Sequence, residues 1–259
     1  MPASVLVTGA NRGLGLGFVK QALQWKELTH LFACCRNPSA AEELNTIREA
    51  DSRVHLIRMD VSDARSIANA AVEVTKVVNG EGLNLVINNA GVLEAGVGTP
   101  NAPGSFAGAQ QESFQRHFNV NSIGPVIIAK EFLPLLARAS QNFTEHDSFS
   151  VDRAAIINIS SMLASIENNT TGSKIVKNMA YRMSKAALNQ FTKTAAIDLA
   201  EQKILVVSFC PGWVKTDMGT SAAQLEISES TGQLCETFRK LSDDQNGSFL
   251  ERSGKVISF

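Results

Sequence analysis

"TGANRGLGLGF", residues 8–18, follows directly on the apolar run at residues 4–7. Its glycines Gly9, Gly13 and Gly15 are spaced Gly-x-x-x-Gly-x-Gly where a Val- and Leu-rich run gives way to helical periodicity. Glycine there permits a tight turn and a close backbone approach to a ligand. The helix that follows directs free N–H groups and the positive end of its dipole at an anion. A glycine trio by itself marks a structural turn as readily. At a strand-to-helix junction opening the first βαβ unit, it predicts a pyrophosphate cradle built from Gly9, Asn11, Arg12, Gly13, Leu14 and Gly15.

The rest of the chain repeats that alternation. Apolar runs predict strands at 4–8, 30–35, 54–59, 84–88, 154–160, 204–210 and 255–258, and helical periodicity fills 14–26, 39–49, 63–79, 110–138, 180–201 and 222–240. Continuous apolar strands are buried on both faces, as in a parallel sheet covered by helices. No linker breaks the pattern, so one domain over residues 1–259 is expected: α/β, doubly wound, with a mainly parallel seven-stranded sheet and helices on both faces. Stretches 92–109, 140–153 and 162–179 read as loops. Ligands of such sheets bind beyond the carboxyl ends of the strands, which puts the first and third of these beside any site.

The 259 residues are 44% hydrophobic and 19% charged, with a formal net charge of −1. This is an ordinary globular composition, and it offers no basic field for nucleic acid or an anionic membrane. The opening residues lack the basic stretch and long apolar core of a secretory leader, and Lys130, Glu131 and Pro134 interrupt the apolar stretch near 124–137. A cytoplasmic protein without membrane or nucleic-acid partners is expected. Cys34, Cys35, Cys210 and Cys235 show no disulfide or metal spacing and read as small buried hydrophobes, and His30, His55, His117 and His146 form no ligand pattern. No metal is expected.

The second strand ends in "FACCRNP", residues 32–38, so that Arg36 and Asn37, both expected to contact the cofactor, follow Cys35. An acid at that point would hold the adenosine ribose hydroxyls of NAD, and none is present. Arg36 and Arg12 offer two planar guanidinium forks for the 2′-phosphate of NADP. Either arginine alone could be an ordinary surface residue; together, with the acid missing, they favour NADP(H). Asp60 and Val61, at the end of the third strand, suit the adenine edge, unless Asp60 serves the start of the next helix. In "INNAG", residues 87–91, Asn88, Ala90 and Gly91 either line the cofactor or make a turn.

Tyr181, the only tyrosine, lies four residues before Lys185 in "YRMSK". In a helix the two share a face, about 6 Å apart at Cβ. An ammonium there is expected to draw the phenol down from its ordinary pKa of about 10, making it a usable proton donor to a carbonyl oxygen. An isolated Tyr-x-x-x-Lys is more often an incidental pair on an amphipathic helix.

TGANRGLG (8–15), NNAG (88–91), NISS (158–161), YRMSK (181–185) and CPGWVKTDMG (210–219) occur in the order and spacing of the short-chain dehydrogenase/reductase family, which the chain resembles over nearly its whole length. Within that family it is most similar to the NADPH-dependent carbonyl reductases of the sniffer and C-factor type. The resemblance implies a Rossmann-type fold, with Tyr181 as general acid and Lys185 tuning it while holding the nicotinamide ribose. It also implies that Ser161 hydrogen-bonds the substrate carbonyl and that Asn121 completes a proton relay through water. Pro211, Gly212, Val214 and Thr216 would contact the nicotinamide carboxamide. Ser160 and Asn119 compete for two of these roles; Ser161 is preferred because the loop follows it, and Asn121 because Gly124 lies three residues on. Ser161 and Tyr181 stand 20 residues apart, more than the family's usual spacing, and the extra residues are expected to reshape the substrate mouth. Trp213 and Met218 would line that mouth or merely pack.

The implied function is NADPH-dependent reduction of a small-molecule aldehyde, ketone or quinone. The alternative is a dinucleotide-binding regulatory protein on the same fold with little turnover. Members of the family pair through two long helices, here 110–138 and 180–201, so a homodimer or homotetramer is implied unless those apolar faces are ordinary core.

Overall fold

The computed structural model describes residues 1–94, 101–102, 104–174 and 176–259. Strands β1 (Ser4–Thr8), β2 (His30–Cys35), β3 (Val54–Arg58), β4 (Leu85–Asn88), β5 (Ala155–Ile159), β6 (Leu205–Cys210) and β7 (Phe249–Glu251) form one sheet. Their order is β3-β2-β1-β4-β5-β6-β7, and every neighbouring pair is parallel. Parallel neighbours require crossovers. Helices α1 (Gly13–Ala22), α2 (Glu42–Ala50), α3 (Ala64–Val78), α4 (Gln111–Phe118), α5 (Gly124–Asn142), α6 (Met179–Asp198) and α7 (Ile227–Phe238) supply them. The strand order reverses between β1 and β4, where such sheets open a crevice at their carboxyl ends.

Alternation along the strands assigns side chains to two cores. Val5, Val7, Leu85, Ile87, Ile157 and Val207 face α1, α2 and α7 through Phe18, Leu44, Leu234 and Phe238. Leu6, Val86, Ile156 and Val206 face α3, α5 and α6 through Ile67, Val74, Phe132, Leu136 and Ala196. Each large apolar side chain taken out of water contributes about 1.5–3 kcal/mol, so burial on both faces holds the sheet. The helix spanning 111–142 is long and apolar enough to cross a membrane, but Ile128, Phe132 and Leu136 spend its apolar side on the second core.

Several boundaries differ from expectation. The helix expected over 110–138 is α4 and α5 joined by a π turn, Asn119–Ile123, and it continues to Asn142 into the stretch that reads as a loop. Helix α1 stops at Ala22, and α7 starts only at Ile227. The larger correction is the seventh strand, which is Phe249–Glu251 and not 255–258. Gly254, at φ +87°, reverses the chain, so that Ile257 N–H bonds the Phe249 carbonyl at 2.8 Å and Val256 pairs antiparallel with Leu250. Two apolar runs flank that turn, and apolarity alone does not say which one enters the sheet. Within the expected loops, residues 95–100, 103 and 175 lie outside the described residues.

Candidate active site

The carboxyl ends of the strands converge on a cleft of about 880 Å³. The chain leaves β1 through Gly9 (φ +64°) and Gly13 (φ +55°), backbone conformations that residues with side chains rarely adopt. Asn89 braces this turn from β4. Its amide donates to the Thr8 carbonyl at 2.9 Å, and the Thr8 hydroxyl accepts the N–H groups of Asn89 and Ala90, each at 3.0 Å. Gly9, Asn11, Arg12, Gly13 and Leu14 line the cleft, as expected. Gly15 does not line it: a Cβ there would stand 2.1 Å from the Gly9 carbonyl oxygen, so this glycine lets α1 pack on the turn.

Arg36, Asp60, Val61, Ala90, Gly91, Tyr181, Lys185, Pro211 and Thr216 line the same cleft. Burial raises the pKa of Asp60, but hydrogen bonds from the Ser62 hydroxyl (2.7 Å) and backbone N–H (2.9 Å), with the Arg36 charge, outweigh it and hold the carboxyl below its ordinary value. The cap of α3 is Asp63, which accepts the Arg65 N–H, so Asp60 has no capping duty. Cys35 and Arg36 face the cleft where β2 ends, and Arg12 pairs with Asp217 at 3.2 Å across its mouth. A glycine turn at a helix N-terminus, two guanidiniums and no acid closing β2 fit a dinucleotide that carries a 2′-phosphate.

Tyr181 and Lys185 occupy the first turns of α6, and both are buried. The Lys185 Nζ donates to the Ile159 carbonyl at 2.7 Å and lies 5.9 Å from the centre of the Tyr181 ring. Burial pushes the phenol up to about 12; the neighbouring Ser161 hydroxyl offsets part of this, and Cys210 adds to it. Burial also pushes Lys185 down to about 8. The expected lowering of the phenol is therefore reversed in the free protein. Desolvation outweighs an ammonium whose own charge burial disfavours and which spends a hydrogen bond on Ile159.

The two ambiguous choices come out differently. Ser161 lies beside the phenol, and its hydroxyl accepts the Leu163 N–H at 3.2 Å, whereas Ser160 lines the cleft with its buried hydroxyl unpaired among the described residues. In the side chain of Asn121, Oδ1 accepts the Val92 N–H at 2.8 Å, and Nδ2 donates to the Val92 carbonyl and the Ser184 hydroxyl, each at 2.9 Å. Its amide braces the chain leaving β4, while Asn119 lines the cleft.

Four other expected contacts point elsewhere. Asn88 turns into the sheet and donates to Asn158 Oδ1 at 2.8 Å, leaving Asn89 at the cleft. Asn37 accepts the Ser39 hydroxyl at 2.8 Å outside the cleft. Gly212 and Val214 shape the loop after β6: a Cβ on Gly212 would meet Leu225 at 2.5 Å, and buried Val214 bridges to Leu225. Met218 lines the cleft, while half-exposed Trp213 anchors its indole N–H on the Gly219 carbonyl at 2.7 Å. Asn89, Arg116, Lys215 and Asp217 line the cleft without having been singled out in the sequence, and Asn119, ranked there behind Asn121, lines it too. Strand parity in "INNAG" could have found Asn89, and Lys215 and Asp217 flank a residue already chosen; no motif marks Arg116.

A glycine turn on the first strand of a parallel sheet, with a buried Tyr–Lys pair over the same crevice, is the architecture of a dinucleotide-dependent oxidoreductase. The short chain dehydrogenase model matches residues 3–226, and the chain belongs to that family. It is similar to the carbonyl reductase Sniffer of D. melanogaster, at 38% identity and TM-score 0.92 over 100% of both chains. A carbonyl reductase from chicken fatty liver, solved with NADPH bound, is 36% identical with TM-score 0.91, over 100% of this chain and 99% of that one. Human retinol dehydrogenase 5 is 33% identical over 91% of this chain and 64% of its own length.

Proposed function

We propose that this chain, as one catalytic domain over residues 1–259, is an NADPH-dependent carbonyl reductase that converts an aldehyde, ketone or quinone to the alcohol in the cytoplasm. The observation that supports this best is the meeting of Tyr181 and Lys185 with the glycine turn and Arg36 in one cleft. The two similar carbonyl reductases, one with NADPH bound, support it further. NADPH, when bound, supplies the hydride. The glycine turn would hold the pyrophosphate, Arg12 and Arg36 the 2′-phosphate, Asp60 and Val61 the adenine edge, Lys185 the nicotinamide ribose, and Pro211 and Thr216 the carboxamide. Tyr181 protonates the carbonyl oxygen. With its pKa pushed up to about 12 it carries its proton throughout the neutral range and starts each cycle as a donor. Ser161, beside the phenol, orients the same oxygen.

Exposed Val126, Met183 and Ile197 on α5 and α6 support self-association through these helices, which sedimentation will test. The reductase reading is tested with NADPH and a panel of ketones, quinones and aromatic aldehydes, following cofactor absorbance, with Tyr181→Phe alongside. Wild type should consume NADPH with at least one carbonyl, and the variant should lose about 100-fold or more in kcat. Tight NADPH binding without consumption on any substrate would overturn the reading in favour of a regulatory binder.

A further inference from the structure

His117, in the last turn of α4, is fully buried, and its ring meets that of Tyr181 edge-on, with centroids 6.4 Å apart and planes at 78°. Its Nδ1 lies 2.7 Å from the Ser113 carbonyl oxygen, which can only accept, so Nδ1 carries the proton. Nε2 then accepts the Glu94 N–H at 3.0 Å. The Glu94 carboxylate closes the cluster, accepting the Ser113 hydroxyl at 2.9 Å and pairing with Arg116. Four residues further along, Asn121 takes both backbone groups of Val92. Two side chains of one helical run therefore clamp the chain leaving β4 at Val92 and Glu94, and one of them also bounds the phenol.

We propose that His117 is a positioning residue for the reductase: through its ring edge and its bond to Glu94 it fixes the Tyr181 phenol relative to segment 92–94, whose Val92 lines the cleft. The inference rests on the reading of Tyr181 as proton donor. Packing alone would be served by any apolar ring. Here both nitrogens are spent on backbone atoms of two different segments, which sets the rotation of the imidazole and hence which edge Tyr181 meets. Proton transfer requires hydrogen-bond reach, and a misplacement of about 1 Å costs about 100-fold in rate.

The test uses His117→Ala, which removes both features, His117→Phe, which keeps a ring but offers Glu94 no acceptor, and His117→Gln, which keeps polar atoms without the ring. As Tyr181 is the only tyrosine, ring-¹³C tyrosine labelling reports this phenol alone. We expect kcat to fall at least tenfold in His117→Ala and His117→Phe, with partial recovery in His117→Gln. The dissociation constant of NADPH should stay within twofold, and the tyrosine resonance should move in all three. A kcat within twofold of wild type in any folded variant lacking the acceptor overturns the proposal. So does a loss of kcat that tracks a matching loss of NADPH affinity while the resonance stays in place. If wild type itself turns over no carbonyl, the reductase reading fails, and the resonance still decides whether His117 sets the phenol.

Discussion

Lys185 should make the cofactor-free protein more stable as pH rises, against the trend of its other buried groups. The ammonium is buried, and burial lowers its pKa from 10.5 to about 8. Between those values the unfolded chain binds a proton that the folded chain does not, so stability rises with pH through the window and the contribution is absent below it. At about 1.4 kcal/mol per pH unit, that gap is worth about 3 kcal/mol. Cys34, Cys35, Cys210 and Cys235 act oppositely: burial raises each thiol above 9.0, so the unfolded chain ionises first and stability falls at higher pH. The total curve therefore hides the lysine, whereas the difference between wild type and Lys185→Met isolates it, because the thiols cancel. Urea unfolding of both proteins, followed by fluorescence of buried Trp25, should show the wild-type-minus-variant stability rising by about 3 kcal/mol between pH 7 and 10.5. A flat difference would refute the argument, since it would mean that the amine titrates as freely in the folded state as in the unfolded one.

Tyr181 should show a single phenolate step in a near-ultraviolet titration, with its midpoint near 12 in the folded protein and near the ordinary 10.0 when unfolded. Its folded value is raised, so its contribution to stability is intact below 10 and is lost as pH climbs toward 12; a folded midpoint at or below 10 would show the phenol to be solvated. Gly15→Ala places a Cβ 2.1 Å from a backbone oxygen, which no side-chain movement relieves. We expect a loss of about 2 kcal/mol or more in stability together with weakened NADPH binding, and a melting temperature matching wild type would refute the close approach. Arg36→Asp should weaken NADPH binding more than tenfold while improving NADH binding, and unchanged selectivity would show that the 2′-phosphate is held elsewhere.

The layers of the fold are legible in the sequence because a doubly covered parallel sheet leaves a strong signal: five-residue apolar runs separated by helical periods. What is not legible is what depends on direction. The two asparagines of "INNAG" are chemically equivalent on paper, yet strand alternation sends Asn88 toward α6 with Val86 and leaves Asn89 for the cleft. Asn121 stands on the run after β4, as its spacing from Gly124 suggests, but only the backbone path shows that its amide bonds both backbone groups of Val92. The phenol's pKa goes the wrong way in the sequence reading because spacing reports that an ammonium is near and says nothing of how deeply both groups are buried. Likewise "FLERSGKVIS" contains two strand-like runs, and the reversal at Gly254 decides that the first one joins β6.

The same parity argument explains why an otherwise apolar sheet carries polar residues beneath the site. Asn88, Asn158 and Ser208 each stand two residues beyond an apolar residue, Val86, Ile156 and Val206, that faces α6. They form a chain to Thr192 of that helix: Asn88 donates to Asn158 at 2.8 Å, Asn158 to the Thr192 hydroxyl at 2.9 Å, and Ser208 shares a 2.6 Å bond with the same hydroxyl. Thr192 has one proton, and it goes to the Leu188 carbonyl at 2.9 Å, so Ser208 is the donor. An apolar helix face tolerates small slides and rotations. A slipped hydrogen bond instead leaves a buried group unpaired at about 1–3 kcal/mol each, so a shift of α6 would break several bonds together. Lys185 and Tyr181 lie two and three turns before Thr192 on the same helix. Their place in the cleft is set by directional bonds in the core, which is a physical reason for burying four polar side chains where apolar ones would pack.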